Sequence, residues 1–301
     1  MATIRVGNAP VSFGIFEPGF GETKQLPWTR VLDAIAEAGY EGTELGPYGY
    51  LPTDPAVLRQ ELDRRGLSLG SSFVPVALGD PEAREGAVNE VIRVATLLAA
   101  MGVPEVILAD AGDPARIRDA GWHPRGWTDG QWDTAIATIE AIEKALRQRF
   151  GMRIVVHHHV GTYLETPEEV DRLLDRTEPG RVDLLLDTGH YVYGGGDPVE
   201  LVRRRGDRVR YVHYKDLDAA KLAEVHREGL DMRSAWRRGV FVPVGQGCVD
   251  FPRLTALLRD RGYEGWIIVE QDTVADDEGR LDPDPFLCAR QSRDALRRMG
   301  L

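Results

Sequence analysis

Eight short apolar runs, each followed by a helix-type pattern, leave this chain little freedom in how it can fold. The runs are Ile4 to Val6, Gly42 to Gly46, Leu67 to Phe73, Glu105 to Leu108, Arg153 to Val156, Val182 to Leu186, Val209 to Val212 and Trp266 to Val269. They are too short for helices and fit buried strands. Between them lie helical patterns opened by capping residues such as Asp54, Thr166 and Asp197 and stopped by Gly39, Gly66, Gly102 and Gly151. Strands alternating with helices imply parallel strands joined by crossover helices. Eight such units in 301 residues predict an α/β chain folded as one (β/α)8 TIM barrel, a single domain spanning 1–301. A doubly wound sheet is the rival, but no Gly-x-Gly-x-x-Gly follows the first strand and no linker divides the chain.

The last four strands share a peculiarity: each stops at a His, Asp or Glu. The ends read IVVHHH (Ile154 to His159), LLLDTGH (Leu184 to His190), VRYVHYKD (Val209 to Asp216) and WIIVEQD (Trp266 to Asp272). In a parallel barrel such ends converge on one face. Alternation along the strand puts His157 and His159 on one side and His158 on the other. With Asp187, His213 and Glu270 they offer imidazoles and two carboxylates to one ion. A nitrogen and oxygen set without cysteine favours Mn²⁺ or Co²⁺, with Mg²⁺, Fe²⁺ or Zn²⁺ as alternatives. The strand-five ligand is open between His157, the first choice, and His159 or Glu165.

Net charge is −11, and no basic stripe is present. Nucleic-acid binding needs Lys and Arg to meet phosphates, so DNA and RNA are unfavoured partners. Arg203 to Arg205 read as a solvated helix end. No apolar run reaches the roughly 18 residues of a membrane helix. The start, MATIRVGNAP, is not a signal peptide, so the cytoplasm is the expected compartment. Cys248 and Cys288 are read as two buried free thiols.

Several loops carry further expectations. Asp110 to Gly130 is long and holds Trp122, His123 and Trp127. Asn8, Glu44 and Trp122 are candidate substrate-binding residues; His123 and His226 are read as structural. Gly245-Gln246-Gly247 is either a phosphate cradle or, the favoured reading, a turn over the barrel mouth. The acidic stretch QDTVADDEGRLDPDP after the last strand would repel anions, which points to a neutral or weakly charged small molecule.

In order along the chain, GTELGPYGY (Gly42 to Tyr50), HHHVGTYLET (His157 to Thr166), LLLDTGHYVYGGGDP (Leu184 to Pro198), YVHYKD (Tyr211 to Asp216), VPVGQGCVDF (Val242 to Phe251) and WIIVEQD resemble the xylose-isomerase-like barrel superfamily of sugar isomerases, epimerases and dehydratases. Within it they resemble the inosose dehydratases of inositol catabolism, and the resemblance covers nearly the whole chain. It implies a metal-dependent hydro-lyase that removes water from a cyclic polyol ketone such as 2-keto-myo-inositol. A metal-dependent keto-sugar isomerase or epimerase is the alternative, and a homo-oligomer is compatible with either. The superfamily's epimerases carry a metal-binding glutamate where His157 stands, which weakens the epimerase alternative. Under the dehydratase reading, His157, Asp187, His213 and Glu270 hold the ion, Glu270 is the base, His159 or His190 the acid, and Lys215 orients hydroxyls or stabilises negative charge.

Overall fold

A computed structural model describes residues 3–17, 25–113, 116, 126–276 and 278–301. Eleven strands are present among them: β1 (Ile4–Asn8), β2 (Gly42–Thr43), β3 (Ser68–Leu69), β4 (Phe73–Val76), β5 (Glu105–Asp110), β6 (Arg153–His157), β7 (Val182–Asp187), β8 (Val209–Tyr214), β9 (Asp216–Leu217), β10 (Phe241–Val242) and β11 (Gly265–Val269). Nine of them form one parallel sheet in the order β3-β2-β1-β11-β8-β7-β6-β5-β4. The last strand pairs with the first, Ile4 opposite Gly265. The two ends of the order, β3 and β4, are one stave interrupted at residues 70–72. That stave bonds to both neighbours, Gly70 N–H to Thr43 O (2.8 Å) and Ile107 N–H to Ser72 O (3.2 Å), and so closes the cylinder. The expected eight-unit barrel is therefore present, with its third strand broken and its second shortened to two residues.

The break begins at a residue that has to be glycine. A β-carbon at Gly70 would stand 2.5 Å from the Tyr211 hydroxyl, which fills the barrel axis from the opposite wall. Val155, Leu185, Tyr211, Trp266 and Ile268 form that inner layer with Ala9 and Ile107. Outside, a larger cluster joins the other face of each strand to the helices, for example Val106, Val156 and Leu186 with Leu98, Ile139 and Val170. Helix ends follow local chemistry: the Thr166 hydroxyl accepts from Glu169 N–H, and Glu169 reaches back to Thr166 N–H.

The Gly245 to Gly247 segment holds no phosphate cradle. Its amides are taken by the Asp216 carboxylate, which accepts from Gly245 (2.9 Å) and Gly247 (2.8 Å) on Oδ2 and from Val249 (3.1 Å) and Leu217 (3.0 Å) on Oδ1. A β-carbon at Gly247 would collide with that carboxylate. The turn lies beside the antiparallel pair β9–β10. Asp216→Ala is expected to destabilise the chain by roughly 1.5–3 kcal/mol, because four amides, most of them on exposed or half-buried residues, lose a charged acceptor. Urea denaturation measures it, and an unchanged midpoint would contradict the clamp. Cys288 is buried as expected, but Cys248 is exposed on this turn. Arg203, Arg204 and Arg205 end their helix in ion pairs with Glu200 and Asp171. No helix among the described residues is long and apolar enough to cross a membrane.

Candidate metal centre

The inner layer predicts the site by simple alternation. Two residues beyond Val155, Leu185, Tyr211 and Ile268, on the same face of each strand, come His157, Asp187, His213 and Glu270. One ligand atom from each lies within 4.8 Å of the other three, and all four side chains are buried. Asp187 Oδ2 is 3.7 Å from His157 Nε2 and 3.6 Å from His213 Nδ1, and Glu270 Oε2 is 3.2 Å from His213 Nδ1. His213 Nε2 meets Glu44 Oε1 at 2.9 Å, which places its proton there and turns the Nδ1 lone pair toward Asp187 and Glu270. Neither His213 Nδ1 nor Asp187 Oδ2 has a hydrogen-bond partner, although both are buried. Converging acceptors of this kind repel one another unless a cation lies between them, so the quartet fits a divalent ion. Burial alone would lower the His213 pKa. The Glu270 and Glu44 carboxylates outweigh it and hold the imidazole well above its usual range, so without an ion a proton on Nδ1 takes the cation's place, which marks the same point as attractive to positive charge.

Asp187 does two jobs. Its Oδ2 faces the quartet, while Oδ1 accepts from His190 N–H at 2.8 Å and caps the short helix Thr188–Tyr193. Its own N–H donates to His158 Nε2 at 3.2 Å, which keeps His158 on the far side of the strand. Glu165 lies away from the quartet; its Oε2 accepts from Gly161 N–H and stands 3.7 Å from Arg116. Of the three open choices for the strand-five ligand, His157 is the one among the four.

A third tier stands two residues further on: His159, Lys215 and Asp272, with His190 beside them. The Lys215 ammonium is buried, 2.7 Å from Asp272 Oδ1, 2.8 Å from His190 Nε2, 3.1 Å from Glu270 Oε2 and 3.4 Å from Asp187 Oδ2. Burial would lower its pKa, but the Asp187, Asp272 and Glu270 carboxylates reverse the shift, so it stays charged. Asp272 was missed as a site residue in the sequence. The signal was present, since alternation puts position 272 on the face of Glu270.

The histidine acids expected from sequence do not suit this geometry. His190 Nε2 accepts from the Lys215 ammonium, and burial together with His159 and Lys215 depresses its pKa well below the usual value. His159 lies against the Val160 carbonyl through Nδ1 (2.7 Å), and burial, His157 and Lys215 bring its pKa to about 3. Both rings are neutral at pH 7 and present acceptors. His158 is likewise brought to about 3, by burial and then by His157. A histidine that ionises near 6.5 when unfolded and near 3 when folded stabilises the fold above pH 6.5. That stability drains as pH falls from there toward 3. The metal-free protein is therefore expected to lose urea resistance steadily below pH 6.5, and a flat profile down to pH 4 would contradict neutral burial.

The tiers open into a cavity of about 440 Å³, lined by Glu44, Phe73, Asp110, His159, Trp236 and Asp272 among others. Glu44 lines it, as expected for a substrate contact, but its carboxylate is engaged with His213. Asn8 does not line it. The wall there is Ala9 and Pro10, and Asn8 shares the helix-facing side of β1 with Val6. Trp122 and His123 lie outside the described residues. Trp127 is buried away from the cavity, stacked on Tyr163 at 5.3 Å and edge-on to Trp132. Helix Met232–Arg237 supplies Met232 and Trp236 to the rim. Among the described residues, the acids facing the cavity are Glu17, Glu44, Asp110, Glu270 and Asp272. A wall of this charge suits a neutral ligand. Glu44→Ala is expected to weaken metal affinity by about 10–100-fold, as loss of a carboxylate that orients a ligand histidine usually does. Isothermal titration with Mn²⁺ checks it.

A (β/α)8 barrel with a buried His₂AspGlu quartet at the carboxyl ends of its strands defines the class: a barrel whose side chains could hold a divalent ion beside a cavity. A family profile described as xylose isomerase-like TIM barrel matches residues 32–298, and the chain belongs to that family. Inosose dehydratase of Geobacillus kaustophilus is 39% identical over 276 residues, covering 89% of this chain and 87% of that one. Inosose dehydratase of Lacticaseibacillus casei is 33% identical, covering 90% of each. Among solved structures, D-allulose 3-epimerase from Methylomonas sp. is similar at a TM-score of 0.71 and 18% identity, covering 99% of this chain and 98% of that one. At that identity the likeness concerns the fold alone.

Proposed function

We propose that this chain is a hydro-lyase that dehydrates a cyclic polyol ketone of the 2-keto-myo-inositol type, within inositol catabolism, with one divalent ion held by His157, Asp187, His213 and Glu270. The observation that carries this reading is a ligand quartet and a buried ammonium sharing one cavity. Identity to inosose dehydratases over most of the chain supports the substrate class. Mn²⁺ or Co²⁺ suits the mixed donor set best, with Mg²⁺, Fe²⁺ and Zn²⁺ behind them. We take 1–301 as one domain and the cytoplasm as its compartment.

When bound, the ion supplies Lewis-acid polarisation of the substrate carbonyl, which makes the adjacent C–H acidic. Glu270 accepts that proton. Lys215, held by Asp272 and His190, donates a proton to the departing β-hydroxyl, which leaves as water. The electron pair of the broken C–H becomes the new C=C, and the enol product tautomerises to a diketone. Glu270 Oε2 lies 3.1 Å from Lys215 Nζ, so the proton taken by one can return to the other after each turnover. This replaces the histidine acids with Lys215. Neutral His159 and His190 act as acceptors for substrate hydroxyls and for Lys215. The epimerase alternative requires an acid-base group on each face of the inverted carbon, and His157 occupies the position that a second carboxylate would need.

Incubation with Mn²⁺ and 2-keto-myo-inositol tests the reading. Growth of the diketone absorbance is expected. An isomeric ketose would transfer the assignment to the isomerases, and an unchanged ketone would remove the substrate class.

A further inference from the structure

We infer that His159, His190 and Asp272 form a second cation site in which the Lys215 ammonium stands where a metal ion would otherwise sit. This rests on the reading that the first quartet holds one exchangeable ion. The three side chains each offer a ligand atom within 4.8 Å of the others, in the tier directly above the quartet. His159 Nδ1 lies against the Val160 carbonyl at 2.7 Å, so its Nε2 carries the lone pair. Lys215 Nζ satisfies His190 Nε2 and Asp272 Oδ1, and Glu270 Oε2 takes its third contact.

The carboxylates of Asp187 and Glu270 lie 3.4 and 3.1 Å from the ammonium, so both groups belong to the quartet and to the second site. That is the arrangement of a two-metal centre, in which carboxylates are shared between neighbouring cations. Here one cation is part of the chain. Its position is rigid: Thr188 Oγ1 donates to Lys215 O at 2.7 Å and accepts from Lys215 N–H at 2.9 Å. The lysine stem fills the space left by Gly189, where a β-carbon would come within 2.6 Å of Cγ, and the Phe241 ring covers Nζ at 5.3 Å. Asp272 Oδ2 remains buried without a hydrogen-bond partner, a spare donor atom for a second ion.

Elemental analysis after saturation with Mn²⁺ and removal of loosely held ions tests this. Wild type is expected to retain about one ion per chain, and folded Lys215→Ala about two, with spin coupling between them in the electron paramagnetic resonance spectrum. Lys215→Ala with Asp272→Ala should return to about one, and Lys215→Arg should stay at about one. If Lys215→Ala does not fold, the same measurement on the polar, uncharged Lys215→Ser decides. Wild type that retains no ion would overturn the first quartet as a metal site. Wild type with one ion and a folded Lys215 variant also with one would overturn the surrogate cation alone, as would wild type with two.

Discussion

Asp187→Asn is expected to purify without its divalent ion and to lose about three orders of magnitude of turnover. The change keeps the shape of the side chain, and Oδ1 still caps the helix at His190 N–H. It removes the charge and leaves an amide where Oδ2 now faces His157, His213 and Lys215. An amide nitrogen there brings hydrogens to a point that calls for lone pairs, and the remaining Glu270 balances half of a double charge. Lewis-acid stabilisation is worth several kcal/mol, and each ~1.4 kcal/mol is tenfold in rate. The cap survives, but burial alone would raise the Asp187 pKa and the Lys215 ammonium instead holds it well below the usual carboxylate range, so losing this charge should also destabilise the metal-free protein, by roughly 3–5 kcal/mol. Elemental analysis, turnover and urea denaturation together check this. Retention of a full equivalent of metal would remove Asp187 from the ligand set.

Lys215→Met is expected to lower turnover by about 10²–10⁴-fold, the usual contribution of a general acid, while the first metal equivalent is retained. The size of the side chain is kept, so the loss would come from the proton and the charge. Like Asp187→Asn, this change should destabilise the metal-free protein, by roughly 3–5 kcal/mol. It strips the cation from buried Asp272 and from two carboxylates of the quartet. Metal should restore part of that stability by balancing Asp187 and Glu270. A variant with normal turnover would exclude Lys215 as the acid. A variant with normal metal-free stability would show that its ion pairs contribute nothing net.

The residues of the candidate centre differ in how visible they were along the chain. His157, Asp187, His213 and Glu270 end buried strands, where period-2 alternation and the common polarity of parallel strands put them on one face. Asp272 obeyed the same rule but lay beyond the last strand residue, where a polar side chain looks like the start of a loop. The acid role expected of His159 and His190 is one we propose to give to Lys215, for a reason that local sequence does not carry. Their ionisation is governed by burial and by Lys215, which reaches them from a neighbouring strand. Asn8 failed on facing alone: one position along β1 separates the cavity wall at Ala9 from the helix side.

Local pattern determined the barrel, because eight apolar runs and their intervening helices can bury their faces in few other ways, and it determined which strand ends carry ligand-type side chains. Tertiary structure decided what those side chains do. The partner of each one comes from a different stave: Glu44 for His213 and Asp272 for Lys215. Proton positions and charge depend on distances of about 3 Å between groups tens to hundreds of residues apart, and only the closed cylinder sets those distances.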